Sequence, residues 1–210
     1  YNAGNFVINN IKSKMIKKEM TTILGSGLSG IGAIKLAIKK NISVYLSDHS
    51  VISDDVKEFL LKNNIKFEEN GHNWDKISSS KVIVISPGIS SNMVFENIPL
   101  FDKKNIISEI EFASRFTNSF LIAVTGSNGK TTTSYLIYHI LKSSGFNVGI
   151  AGNMGKSFSE SISDSQFEYY VLEVSSFQLD HIVKFKPDIS IITNISEDHL
   201  DRYNYSFSNY

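Results

Sequence analysis

Short apolar runs, glycine- or serine-rich turns and helical stretches follow one another along this chain in a repeating order. Uninterrupted apolar runs of about four to eight residues predict strands buried on both faces, and strands alternating with helices predict parallel βαβ units. Thr21–Leu24 reads as the first strand and runs into Gly25-Ser-Gly-Leu-Ser-Gly30. A helix follows over Ile31–Lys40, with Ile31, Ile34, Leu36 and Ile38 as its apolar side and Asn41 as a stop. Ile42–Leu46 is the second strand and closes on Asp48. A helix over Val56–Lys62, a short strand at Ile65–Phe67 and a buried strand at Lys81–Ile85 come next, the last stopped by Ser86-Pro-Gly88. Ile106–Ile107 makes a fifth strand and Glu109–Phe116 a short helix, completing one doubly wound unit.

A second unit opens with a strand at Phe120–Val124 that runs directly into Thr125-Gly-Ser-Asn-Gly-Lys-Thr-Thr-Thr133. The helix Thr132–Ser144 follows, with Leu136, Ile137, Ile140 and Leu141 on one face and Gly145 just past its end. Tyr169–Val174 and Ile189–Thr193 are the other strands. Three strands are few for an independent sheet, so this unit reads as an incomplete domain with an apolar edge. The apolar pattern pauses at Arg115–Ser119, which divides the chain into residues 21–116 and 117–210 behind a tail or tag at 1–20. Met15 and Met20 are candidate natural starts, and the end at Tyr210, in the middle of no obvious element, reads as a break in a longer chain.

Composition narrows the function classes. At 41% hydrophobic with 14 Phe and 9 Tyr, the chain has the apolar surface to build a core. Its 21 basic residues balance 21 acidic ones, which points to no nucleic-acid partner. No apolar run reaches the ~18–20 residues that cross a bilayer, so no membrane insertion is expected. The absence of cysteine removes disulfides, thiolate metal sites and cysteine nucleophiles, and a cytoplasmic protein fits the whole.

Three segments carry chemistry. Gly25-Ser-Gly-Leu-Ser-Gly30 matches GxGxxG between a strand and a helix, with Asp48 eighteen residues beyond it. Such a loop lets the backbone approach a pyrophosphate, and the acid at the end of the second strand can hold a ribose hydroxyl, or the motif is only a tight turn. Gly126-Ser-Asn-Gly-Lys-Thr131 is close to a P-loop, with Val124 where the first glycine of GxxxxGK[ST] would stand. Its backbone amides suit phosphates, Lys130 suits their outer oxygens, and Thr131 offers Mg²⁺ a hydroxyl. Glu173 ends an apolar strand, where it suits a metal ligand or a cap for the next helix. Glu197-Asp-His-Leu-Asp-Arg-Tyr203 follows the last strand, and His199 within it suits either a metal ligand or a solvated loop. His49, His72, His139 and His181 have no comparable setting, with His139 on a helix surface, and Trp74 reads as core.

Together with Ala151-Gly-Asn-Met-Gly155, Leu172-Glu-Val-Ser-Ser-Phe-Gln-Leu179, Ser86-Pro-Gly-Ile89 and Ser108-Glu-Ile-Glu-Phe112, these motifs resemble the Mur ligases from about Thr21 to Tyr203. Within that family the match is to the members that join D-glutamate to UDP-N-acetylmuramoyl-L-alanine. The resemblance implies a Rossmann-like doubly wound parallel sheet followed by the first part of a P-loop-type α/β ATPase domain. It implies ATP and Mg²⁺, phosphorylation of the substrate carboxylate, attack of the D-glutamate amine on the acyl phosphate, and a role in peptidoglycan precursor synthesis. It also implies a monomer.

By the same resemblance, Leu28 and Ser29 meet a diphosphate, while Asp48, His49, Ser86 and Gly88 surround uracil and ribose. Gly126, Ser127, Asn128, Gly129, Lys130, Thr131 and Thr132 hold ATP phosphates. Thr131 and Glu173 hold one Mg²⁺, His199 serves a second, and Asn153 touches the muramoyl group. Lys130, Glu173 and His199 are thereby the catalytic set. The family's carbamylated lysine, adenine clamp and D-glutamate domain fall beyond Tyr210, so this chain alone is expected to bind the UDP-sugar substrate but not to turn over, and Ser50 stands where some relatives carry Arg near the uracil.

Competing readings are another Mur-type ligase, folylpolyglutamate synthase, an NAD(P)-binding oxidoreductase or nucleotide sensor, and a catalytically dead binding fragment. Folylpolyglutamate synthase lacks a leading unit like Gly25–Gly30, and the NAD(P) reading leaves Lys130, Glu173 and His199 without a task.

Overall fold

A computed structural model describes residues 19–210. The tail assigned to residues 1–20 therefore lies almost wholly outside the described residues, and Met20 itself belongs to the first strand. Two parallel sheets form. The first has strands β1 (Met20–Leu24), β2 (Ser43–Ser47), β3 (Lys66–Glu68), β4 (Val82–Ile85) and β5 (Ile106–Ser108) in the order β3-β2-β1-β4-β5. The second has β6 (Phe120–Thr125), β7 (Val148–Gly152), β8 (Tyr169–Glu173) and β9 (Ile189–Ile192) in the order β7-β8-β6-β9. In both, the strand that runs into a glycine loop, β1 or β6, has a neighbour on each side.

The helices are α1 (Leu28–Lys39), α2 (Asp54–Lys62), α3 (Trp74–Ser78), α4 (Ser91–Asn97), α5 (Glu109–Ser114), α6 (Lys130–Ser143), α7 (Phe158–Asp164) and α8 (Ser176–Leu179). The first sheet agrees with the expected five strands. The second differs: it has four strands, because Val148–Gly152 is one. Two glycines and an alanine in five residues conceal it, since such residues weaken strand preference. The pairing with β8 supplies what propensity lacks, from Val148 against Tyr169 to Gly152 against Glu173. Gly149 is required there, because a side chain would run into the Phe167 ring at 2.5 Å.

Helix α1 begins at Leu28, inside the glycine loop, three residues before the expected start. The apolar face expected on α6 divides. Ile137 and Leu141 pack on the core of the second sheet, whereas Leu136 and Ile140 are more than half exposed. The β9 edge is also apolar and open, with Ile192 and Ile195 each 62% exposed. Trp74 packs against the cluster around Leu24 and Ile83 and His139 is exposed, as expected. Among the described residues no helix is long and apolar enough to cross a membrane.

One seam joins the sheets. Helix α7 lies against α1 and α5, and a single apolar cluster runs from Ile23, Ala33, Ile34 and Ala37 through Phe112 to Phe158, Ile162 and Tyr170. Small residues permit the approach: a Cβ on Gly32 would stand 1.9 Å from Ser157 Oγ. Lys35 Nζ donates to Glu160 Oε1 at 2.6 Å across the rim.

Two buried carboxylates of α5 complete the seam. Glu111 Oε2 accepts from the amides of Val183, Lys184 and Phe185 at 3.1, 2.8 and 2.7 Å, and its Oε1 pairs with Arg115 Nη2 at 2.9 Å. Burial pushes this carboxyl upward, but those donors outweigh it and hold it below the usual range. Glu109 has fewer partners. Its Oε1 accepts from Ser159 N at 2.5 Å, its Oε2 is buried without a partner, and burial raises its pKa to about 7 against the opposition of the Ser159 and Phe158 amides.

A carboxyl raised on folding binds its proton more tightly in the folded chain, so its contribution to stability is present below the unfolded pKa and declines as pH climbs toward 7. Between pH 5 and 8 the chain is therefore expected to lose on the order of 2–3 kcal/mol through Glu109. Glu109→Gln should flatten that slope and exceed the parent in stability at pH 8. Urea unfolding at pH 5, 6.5 and 8 checks this, and parallel slopes for the two proteins would refute it.

Candidate functional site

The second unit's loop leaves β6 at Thr125 and enters α6 at Lys130. Gly126 sits at φ +132°, and any Cβ there would stand 2.2 Å from Thr193 Oγ1 and 2.7 Å from the Asn194 carbonyl. Gly129, at φ +81°, makes the left-handed turn that starts the helix. The segment after β9 clamps the loop. Ser127 N donates to Asn194 O at 3.0 Å, Asn128 N to Asn194 Oδ1 at 3.0 Å, and Asn194 Nδ2 returns to Asn128 O at 2.8 Å. Ser127 Oγ donates to Ser196 O at 2.8 Å, and Thr193 Oγ1 to Asn128 O at 2.6 Å. Lys130 Nζ reaches back to the carbonyls of Gly126 and Ser127, at 2.6 and 2.9 Å, which lays its ammonium across the loop. Thr132 is exposed on the first turn of this 14-residue helix, whose N-terminus favours anions.

Beside the loop, Thr131 Oγ1 donates to Glu173 Oε2 at 2.7 Å and Asn153 Nδ2 to Glu173 Oε1 at 3.1 Å. Glu173 is 3% exposed at the carboxyl end of β8. The alternative in which it caps the next helix does not hold, because Ser175 caps α8 through a reciprocal pair with Gln178. A hydroxyl and a carboxylate 2.7 Å apart, beside a phosphate-shaped loop, are a donor set that suits Mg²⁺, which takes oxygen ligands and keeps its remaining positions for phosphate and water.

His199 is placed differently. Its backbone is left-handed at φ +48°, and its ring lies 5.2 Å from Phe177 and 3.7 Å from Asp198 Oδ1. The structure does not join it by hydrogen bond to Glu173 or Lys130, and among the described residues no three of His, Asp and Glu gather into a metal cluster.

In the first unit, Asp48 is fully engaged. Its Oδ2 accepts from Ser26 N and Ser26 Oγ, both at 2.6 Å, and its Oδ1 from Ser50 N at 2.8 Å. Burial raises this carboxyl, but the Ser26 and Ser50 donors and nearby His72 bring it below the ordinary value. Asp48 thus ties the glycine loop to the end of β2. Around it, Leu28 is 73% exposed, Ser29 is half-buried, and His49 is exposed with Nδ1 3.4 Å from Ser50 Oγ. Ser86 Oγ is buried without a partner and Gly88 is exposed. These residues cluster at the carboxyl ends of the first sheet; Asn153, Thr131 and Glu173 cluster at those of the second.

Two residues matter more than their sequence setting implied. His72 Nδ1 sits 2.6 Å from Ser47 Oγ, which itself donates to Glu68 Oε1 at 2.6 Å, so the ring carries its proton on Nδ1. Burial lowers the pKa of this imidazole despite the nearby carboxylates of Glu68 and Asp48. The Asn70-Gly71 turn, with both residues at positive φ, is the one signal that could have brought His72 back toward β2. Arg202, the other, crosses from the second unit to the carbonyls of Pro87 and Gly88. Between the units lies a polar cleft of about 260 Å³ whose walls include Ser86, Ser108, Phe177 and Arg202.

A lysine-bearing glycine loop at a helix N-terminus, with a threonine and a carboxylate beside it on a parallel sheet, defines a P-loop-type α/β protein behind a Rossmann-like unit. The family models described as the Mur ligase middle domain and the MurD N-terminal domain match residues 124–210 and 20–94. The chain belongs to the Mur ligase family. It is 47% identical over 188 residues to the UDP-N-acetylmuramoylalanine--D-glutamate ligase of Bacteroides fragilis, covering 90% of this chain and 42% of that relative. The enzyme of that name from Bacteroides thetaiotaomicron is 45% identical over 193 residues, again across 90% of this chain and 42% of the relative. The chain thus spans 42% of the length of these curated relatives. In fold it is similar to the UDP-N-acetylmuramate:L-alanyl-gamma-D-glutamyl-meso-diaminopimelate ligase of Neisseria meningitidis, with a TM-score of 0.55 at 20% identity over 88% of this chain and 63% of that one.

The clamp on the loop is testable by itself. Gly126→Ala forces a side chain into Thr193 and the Asn194 backbone at a left-handed φ, and should cost about 2–4 kcal/mol. Thermal unfolding checks it; a melting temperature equal to that of the parent would refute the clamp.

Proposed function

We propose that this chain is the substrate- and ATP-binding part of a cytoplasmic ligase that joins D-glutamate to UDP-N-acetylmuramoyl-L-alanine for peptidoglycan precursor synthesis. The observation that carries the reading is the grouping of Lys130, Thr131, Glu173 and Asn153 at one loop, in a chain 47% identical to a relative of that name. Residues 21–116 then form the UDP-substrate unit and residues 117–210 part of the ATP unit. Leu28, Ser29, Asp48, His49, Ser86 and Gly88 take the uridine diphosphate, and Asn153 takes the muramoyl end.

The reaction needs a carboxylate and the γ-phosphate of ATP brought together, two anions that repel in water. The loop from Gly126 to Thr132, through the amides that Asn194 does not engage, and the Lys130 ammonium take the phosphate charge, and the α6 N-terminus adds its dipole. Thr131 and Glu173 would hold Mg²⁺, which would supply further neutralisation of the phosphoryl group. Transfer of that phosphoryl makes a mixed anhydride, whose phosphate is displaced when the D-glutamate amine attacks the acyl carbon and loses a proton. His199, an exposed imidazole, would be available to a second Mg²⁺ or to the acyl phosphate. The protein's contribution is position and charge, with no covalent bond to an enzyme group.

Calorimetric titration of this chain with UDP-N-acetylmuramoyl-L-alanine tests the assignment, with NADH and UDP-glucose as controls. Saturable binding of the muramoyl nucleotide and none of NADH is expected; the reverse would overturn it. Lys130→Ala and Glu173→Gln should each weaken Mg·ATP binding by about 10- to 100-fold while leaving the muramoyl nucleotide within about threefold. Equal ATP affinity in both variants would remove the proposed ATP site.

A further inference from the structure

The loop that leaves β4 is held weakly by its own unit. Ser86 N donates to Leu24 O and Ile89 N closes a turn on Ser86 O, each at 3.0 Å, while Pro87 has no N–H to give and Ser86 Oγ lies buried without a partner. Gly88 is not demanded by the chain either: a Cβ there would meet nothing within 4 Å, and its φ lies outside the left-handed region. What reaches this loop comes from the other unit. Arg202 Nη2 donates to Pro87 O at 2.6 Å and Nη1 to Gly88 O at 3.2 Å, across more than a hundred residues of sequence.

The guanidinium is itself fixed. It lies over the Phe177 ring at 4.4 Å, and that ring stacks with Tyr203 at 14° and sits 5.2 Å from the His199 ring. A planar fork with several N–H donors can satisfy two adjacent carbonyls and an aromatic face together, which a lysine ammonium cannot. The same residue therefore touches the loop carrying Ser86 and Gly88 and the aromatic cluster that seats His199.

We infer that Arg202 is a positioning residue for the nucleotide pocket: from the ATP-side unit it fixes the Pro87–Gly88 carbonyls, and so sets the spacing between the two halves of the site. The inference rests on the uridine-nucleotide reading of that loop given above. Arg202 acts through the loop backbone, and the nucleotide meets the loop.

Arg202→Ala and Arg202→Lys in this chain test it through two readouts. By hydrogen exchange, the Ile89 amide should exchange at least tenfold faster in Arg202→Ala, with the β4 amides unchanged. By calorimetry, UDP-N-acetylmuramoyl-L-alanine should bind about tenfold more weakly to Arg202→Ala and by an intermediate amount to Arg202→Lys, with Mg·ATP affinity within twofold of the parent and an equal melting temperature. Unchanged exchange at Ile89 overturns the inference, as does faster exchange with unaltered nucleotide affinity. A joint loss of nucleotide, ATP and thermal stability overturns it too, since that marks general unfolding. If the unmutated chain binds no uridine nucleotide, the reading of the pocket fails and the positioning role falls with it, while the exchange result still separates a holding contact from an idle one.

Discussion

The site depends on a seam of small side chains between helices α1, α5 and α7. Two parallel sheets each present a glycine loop at their carboxyl ends, but loops on separate sheets make a joint site only if the sheets are held in one orientation. Here the cluster from Ala33 and Ala37 to Phe158 and Tyr170 belongs to both sheets at once. Gly32, Ser157, Ser159 and Ser161 keep the helices close, because larger residues would part them. Glu111 adds direction to an otherwise greasy contact, since one carboxylate oxygen gathers three successive amides of the segment before β9.

The seam also explains why the carboxylates of α5 are tolerated. A buried charge is costly unless it is met by donors, and Glu111 is met by several whereas Glu109 is met by few. The two residues lie on one short helix and burial pushes both upward, yet their net shifts run opposite ways because Glu111 has the richer supply of hydrogen-bond donors. Glu109 makes the seam sensitive to pH near neutrality, while Glu111 keeps it assembled.

Much of this was legible in the sequence. The uninterrupted apolar strands at Ile23–Leu24, Val84–Ile85, Ile122–Val124 and Val171–Leu172 announced parallel sheets, and the loops that follow β1 and β6 announced where phosphate-shaped backbone would lie. The pairing of Thr131 with Glu173 could be anticipated from a P-loop-like helix start and an acid at a strand end. The hidden parts were hidden for physical reasons. Strand β7 carries two glycines and an alanine among its five residues, which weakens its strand preference, and Gly149 leaves room for Phe167. Helix α7, Phe-Ser-Glu-Ser-Ile-Ser-Asp, looks like a polar loop because its serines are selected for close packing against α1. Arg202 gains its setting from a loop more than a hundred residues away, which no local pattern encodes, and for His72 only the Asn70-Gly71 turn hints at its return to β2.

Rigidity is divided unevenly between the two loops. The Gly126–Gly129 loop is cross-linked to residues 193–196 by side chains and backbone, and Lys130 closes on its carbonyls, so the loop is held in one shape before anything binds. A shape set before binding means that little ordering entropy is lost when a phosphate is gripped. The Ser86–Gly88 loop has only the Ile89–Ser86 turn and the Ser86–Leu24 bond from its own unit, and its Pro87 and Gly88 carbonyls are met by Arg202 across the cleft. The proposed ligase reaction requires a phosphate donor and a long nucleotide-linked acceptor to meet at a common point. On the proposed reading the stiff loop lies on the donor side, and the acceptor loop is met from the same unit by a guanidinium seated on Phe177, so the acceptor is aligned against the unit that carries the phosphate loop.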